Sequence, residues 1–352
     1  MSFKLKIIYA IAILLIPIIF FEIFSHFFSQ KSYELDYEKL WENYTTEELD
    51  KNLSSFHSRT GKNCMEKIIP TWHHKIGFQD KKINFECLKK HFTNKTLNIA
   101  FFGGSVMEST YYKNYLTSID WQVIKDQENI HSINFAQSGS RLSNEFSSFI
   151  IMLKYTKPDI AIFLDGANEF NSIKYNNGKP DEDFYWTVWA KKRIEDPFLI
   201  YLDKMIESSA TAKAILINLF GYKPNNLIEN HNIEDSKILE TANDYLHYKE
   251  IIESICKNQN IKCLFFLQPI IYTTSEIVDE LTINIEKKFL GYYPNNKKIY
   301  KLGYKEILKD KNLIDLSDII SNNKYAFIDE MHLTKVGSKL IAEKMKKSIN
   351  SN

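Results

Sequence analysis

From Leu97 onward, short apolar runs alternate with segments whose apolar residues recur at helical spacing, and this alternation most constrains the fold. Leu97–Phe102, His131–Ala136, Asp159–Leu164, Ile261–Leu267 and Leu313–Leu316 read as strands. Between and after them, Leu142, Phe146, Phe149 and Leu153, then Tyr245, Ile252 and Ile255, then Val336, Leu340, Ile341 and Met345 mark helices. Strands apolar on both sides, each followed by an amphipathic helix, predict an α/β domain with a parallel sheet covered on both faces. The pattern is interrupted at about 171–239, which holds Trp186, Trp189 and the apolar stretch Ala210–Phe220, and again at about 272–310. Both insertions leave the carboxyl end of a strand, where open α/β sheets bind ligands. They are expected either to form a lid or groove or to pad the surface.

The amino terminus bears on compartment. Ile7–Phe21 carries no charge, Lys4 and Lys6 precede it, and Phe24, Phe27 and Phe28 extend its apolar character past Glu22. An uncharged run of about 15 residues, lengthened by the Phe-rich tail, approaches the roughly 20 that a span needs. No small-x-small cleavage site follows it, so residues 1–30 are expected to be an uncleaved signal anchor, with a cleaved signal peptide as the alternative. The lysines before the run, and Glu34, Asp36 and Glu38 after it, place the amino end in the cytoplasm. The rest of the chain is then expected on the periplasmic or extracellular side of the inner membrane.

Residues 31–95 read as a helical or irregular segment, with a helix over Asp36–Leu53 and a loop at Trp72-His73-His74. Adjacent histidines point to different sides of any element, so no metal pair is expected there. Cys64, Cys87, Cys256 and Cys263 permit two bridges in an oxidising compartment. Of three connectivities the sequence-local pairs are expected, with four free thiols as the alternative.

The 352 residues carry 45 Lys+Arg against 44 Asp+Glu, a net charge of +1, which argues against a nucleic-acid partner. No G-x-G-x-x-G, phosphate-loop or G-x-S-x-G pattern is present. Four loops carry residue types suited to acyl chemistry. Gly103-Gly104-Ser105 follows the first strand and presents a hydroxyl beside helix-start N–H groups. Gly139 follows the second strand, where its N–H can face a ligand. Gly166-Ala167-Asn168-Glu169 follows the third, and the Asn168 amide can donate to a developing oxyanion. Asp329-Glu330-Met331-His332 precedes the last helix, where a carboxylate three residues before a histidine can hold one ring nitrogen and leave the other as a base.

Taken in order, these four blocks resemble the signatures of the SGNH (GDSL-type) hydrolase family over about residues 96–350. The resemblance implies a three-layer α/β/α, flavodoxin-like domain and ester chemistry with no metal or cofactor. Carried over position by position, Ser105 is the nucleophile, His332 the base and Asp329 its orienting carboxylate. Ser105, Gly139 and Asn168 form the oxyanion hole. The chain departs from the commonest pattern at Gly104 and Glu169, where Asp is usual. The expected function is an esterase or O-acyltransferase acting on an acyl, and above all acetyl, ester of an envelope glycan or on a small ester. A polytopic O-acyltransferase is a further expected partner. The competing expectation is an inactive glycan-binding or assembly protein of the same fold.

Overall fold

From Leu97 onward the chain carries strands that are apolar on both sides, and these form the central sheet. The structure is a computed structural model that describes residues 59–61, 64–73, 77–92, 96–108, 118–175 and 233–351. Five strands, β3 (Leu97–Gly103), β4 (Ile130–Asn134), β5 (Ile160–Asp165), β6 (Lys262–Leu267) and β7 (Ile314–Asp315), make one parallel sheet in the order β4-β3-β5-β6-β7. Every residue of β5, the middle strand, is buried. An α/β domain with a parallel sheet is what the alternation predicts, and the strand ends differ from the expected ones by one or two residues.

Helices α2 (Ser105–Glu108) and α3 (Ile119–Ile124) connect β3 to β4, and α4 (Leu142–Leu153) returns across β3 to β5. These crossovers run in opposite directions along the sheet, so right-handed connection puts α3 and α4 on opposite faces. Helix α5 (Ala167–Tyr175) follows β5, and α6 (Asp235–Gln259) leads into β6. Helices α7 (Glu280–Tyr292) and α8 (Asn296–Ile307) link β6 to β7, and α9 (Lys335–Asn350) ends the fold. Helix α6 packs on α4, α5 and α8 over one face, while α9 packs on α3 over the other. The chain thus reverses direction between β4 and β5, and the loops leaving β3, β4 and β5 share one edge of the sheet, where such folds build sites.

Register aligns Phe102, Phe163 and Phe265 in one row across three strands. Their rings stack at 4.8 Å between centroids, and Phe149 of α4 meets the first two edge-on. Three features end and fasten α6. Asn260 ends it in the left-handed conformation. Cys256–Cys263 clips it to β6. The fully buried Lys249 reaches Glu253 at 2.5 Å and Asp310 at 2.7 Å.

Before the sheet, β1 (Met65–His73) and β2 (Gly77–Ile83) pair antiparallel and lead into α1 (Phe85–His91), which Asn84 caps. Cys64–Cys87 closes this unit. Both bridges are the sequence-local ones. The expectation of a helical or irregular segment is corrected at 65–83, where two strands pair antiparallel through their backbones as a hairpin. Trp72 and His73 end a strand rather than sitting in a loop. Arg59 docks this region on the sheet domain by donating to the carbonyls of Ile124, Lys125 and Gln127 at the carboxyl end of α3 and of Ile130 at the start of β4.

The expected membrane anchor at 1–30, the expected helix over Asp36–Leu53, His74 and most of the 171–239 insertion lie outside the described residues. Among the described residues no helix is long and apolar enough to cross a membrane. The insertion at 272–310 is a helical crossover, with α8 packed against α5 and α6.

Candidate active site

Strand β3 ends in two glycines, and the second has a steric reason. A Cβ on Gly104 would lie 2.2 Å from Nδ2 of Asn168. Only a residue without a side chain lets the Asn168 amide come against the main chain just before Ser105. Ser105 then opens α2, and a first-turn N–H has no intrahelical acceptor.

The loop after β4 is bonded to the nucleophile segment at three points. The Gln137 N–H donates to Gly103 O at 3.0 Å. Asn134 Nδ2 donates to Met107 O at 2.8 Å. The N–H and hydroxyl of Ser138 both donate to Glu108 Oε2 at 2.7 Å. Gly139 follows at φ +73°, a left-handed conformation that favours glycine.

The loop after β5 is fastened to the same place. Asn168 Nδ2 donates to Ser140 O at 2.8 Å, so one of its two N–H groups is directed at the Gly139 loop. Glu169 is buried and bridges the two loops, accepting from Leu142 N–H at 2.8 Å and Gly166 N–H at 3.1 Å. Behind it lie the buried carboxyls of Glu145 and Asp165. Burial pushes both well above the ordinary carboxylate range, and their mutual proximity and Glu169 add to this for Glu145. Burial also raises Glu169, against the opposing pull of its two N–H donors and Arg141.

The fourth loop closes on itself. Asp329 Oδ1 accepts from the N–H groups of Met331 at 2.9 Å and His332 at 2.8 Å, and Oδ2 meets His332 Nδ1 at 2.7 Å. A bridge between Phe327 and Leu333 closes the turn, and Thr334 caps α9 immediately after it. Burial opposes the charge on Asp329, but the His332 ring and the two N–H groups outweigh it and hold its carboxyl below the usual 3.8. Nδ1 donates to this carboxylate, which leaves Nε2 as an acceptor. Nε2 lies 2.7 Å from Ser105 Oγ. Ser105 and His332 are both buried.

Ser105, His332 and Asp329 thus form one hydrogen-bonded chain, and Gly139 and Asn168 come to the same edge through Ser140. A hydroxyl bonded to an oriented neutral imidazole can surrender its proton as it attacks a carbonyl. Among the described residues no cluster of His, Cys, Asp and Glu is arranged to hold a metal ion. Glu108, the Glu145–Asp165 pair and the bridging role of Glu169 escape the sequence reading. Their partners are backbone N–H groups or residues distant in the chain, which leave no local pattern.

No family model and no curated protein matches the chain. Among solved structures it is similar to an acetyl xylan esterase, AlAXEase, at 13% identity and TM-score 0.38, over 72% of this chain and 99% of that one. It is similar to a putative lipolytic protein of the G-D-S-L family from Desulfitobacterium hafniense DCB-2 at 11% identity and TM-score 0.38, over 72% and 99%. It is also similar to a GDSL-like lipase from Bacteroides thetaiotaomicron VPI-5482 at 10% identity and TM-score 0.36, over 75% and 95%. At such identities and scores these likenesses bear no weight on the chemistry, which rests on the residues of this chain.

Proposed function

We propose that the chain is an SGNH-type serine esterase or O-acyltransferase working through an acyl-Ser105 intermediate. The observation that carries this is the Ser105–His332–Asp329 chain, with 2.7 Å at each of its two contacts. His332 Nε2 takes the Ser105 proton while Oγ bonds to the ester carbonyl carbon. The carbonyl oxygen becomes an anion facing the Ser105 N–H, the Gly139 N–H and the second N–H of the Asn168 amide. Each such donor is worth about 3 kcal/mol in comparable sites. Collapse of this intermediate breaks the ester C–O bond, and His332 returns the proton to the leaving alcohol. Water or a sugar hydroxyl, deprotonated by His332 in turn, then bonds to the acyl carbon; the acyl–Oγ bond breaks and His332 returns the proton to Ser105.

The proposed substrate is an acyl ester, acetyl before others, of a cell-envelope glycan. The apolar run at 7–21 supports anchoring by a single amino-terminal helix with the catalytic domain outside the inner membrane. Two disulfides and no free cysteine support an oxidising compartment. A polytopic O-acyltransferase that delivers acyl groups is the partner this reading implies.

The test is p-nitrophenyl acetate hydrolysis by the full-length chain purified in mild detergent. Ser105→Ala is expected to lower kcat by about 10³-fold or more and to abolish covalent labelling by a fluorophosphonate. Equal rates for the two proteins would leave a non-catalytic glycan-binding protein.

A further inference from the structure

Asp329 and His332 orient each other, but both lie on one turn. Their bonds therefore set the ring relative to the turn and not relative to Ser105, which is 227 residues away. Something outside the turn has to fix its distance from the sheet. Glu330, between the two, is 6% exposed, and its carboxylate points away from solvent. Its Oε2 accepts from the hydroxyl of Tyr272 and, at 2.8 Å, from Nδ2 of Asn296. Its carbonyl accepts from Ile271 N–H at 2.9 Å.

A buried carboxylate is tolerated only where donors hold it, so these contacts confine the turn strongly. Both side-chain donors belong to the 272–310 insertion. Asn296 stands in a stripe of α8 with Tyr300 and Tyr304, spaced four residues apart on one face. Tyr300 donates to Ala167 O, next to Asn168, at 3.3 Å, and Tyr304 donates to Gln268 O at the exit of β6 at 2.9 Å. One helix face therefore touches the base turn, the Asn168 turn and the sheet. Gly303 on α8 makes this approach possible, since a Cβ there would lie 2.2 Å from the Phe170 ring.

We infer that Glu330, clamped by Tyr272 and Asn296, is a positioning residue that holds the Asp329–His332 turn at proton-transfer distance from Ser105, so that the 272–310 insertion braces the site. This rests on the reading of Ser105 and His332 as nucleophile and base. Displacing a catalytic group by about 1 Å costs on the order of 10²-fold in rate. In the full-length chain, Glu330→Ala is expected to lower kcat per fluorophosphonate-titrated serine by about 10- to 100-fold with KM within about twofold. Labelling of Ser105 should slow in parallel. Glu330→Gln keeps an oxygen for both donors and should recover to within about threefold of wild type. A merely structural role would lower the melting temperature and the labelled fraction but leave kcat per labelled serine unchanged.

Where Glu330→Ala does not fold, Tyr272→Phe decides, with an expected loss of about three- to tenfold in the same quantity, the worth of one buried hydrogen bond. Unchanged kcat per labelled serine in the folded variants, with Ser105→Ala and His332→Ala inactive, overturns the inference alone. Wild-type rates in Ser105→Ala overturn the underlying reading instead.

Discussion

A glycine decides how close the Asn168 amide comes to Ser105. At position 104 any Cβ collides with Nδ2 of Asn168, so only glycine fits while the amide keeps its place. Gly104→Ala should push the amide aside and lower kcat for p-nitrophenyl acetate by about 10²-fold, the worth of one oxyanion donor. Retention of the wild-type rate would mean that the amide does not reach the reacting oxygen. Asp329 shows the electrostatic side of the same scale. Its carboxyl is held below 3.8, so its contribution to stability is fully present above that value and is lost only as the pH falls through the lower, folded one.

At the scale of elements, the sheet organises both the core and the site. The row Phe102–Phe163–Phe265 is set by parallel register, and its rings are almost wholly buried. Phe163, between the other two, loses both stacking partners on truncation. Phe163→Ala should destabilise the chain by about 3–5 kcal/mol, read from urea unfolding. A cost below about 1 kcal/mol would show that α4 collapses into the gap. Strands β3, β4 and β5 of this sheet lead at their carboxyl ends into the loops of Ser105, Gly139 and Asn168, so a change in their register would move all three loops together. Helix α8 fastens the Asn168 turn through Tyr300 and the Asp329–His332 turn through Asn296.

Across the whole molecule, two adjoining buried acids set a pH dependence. Glu145 and Asp165 are raised well above their ordinary values by burial and by neighbouring carboxyls. Facing them are Glu169, Tyr245 and Tyr304, and Arg141, the one cation among these groups, acts on Glu169. The unfolded chain releases these protons near the ordinary values of 4.5 and 3.8, while the fold retains them to higher pH. Stability from this pair is therefore greatest at low pH and falls as the pH rises toward the folded values. Asp165→Asn should raise the melting temperature more at pH 8 than at pH 4.5, measured by calorimetry. An equal shift at both pH values would show that the pair is not protonated in the fold.

The sequence by itself determined the α/β class, the strands of the sheet and the short-range unit Asp329–His332. Each of these depends on near neighbours: apolar periodicity, loop length, or a carboxylate three residues from an imidazole. The hairpin at 65–83 was less legible, because its pairing is carried by backbone bonds and its alternation is broken by a register shift between Lys67 and Thr71. The tertiary structure alone decided that His332 faces Ser105 at 2.7 Å, that Glu169 and Glu108 fasten separate loops, and that a crossover helix clamps Glu330. These contacts join residues far apart in the chain through single hydrogen bonds. Such bonds form only once the sheet has brought the loops to one edge, and they leave no periodic trace along the sequence.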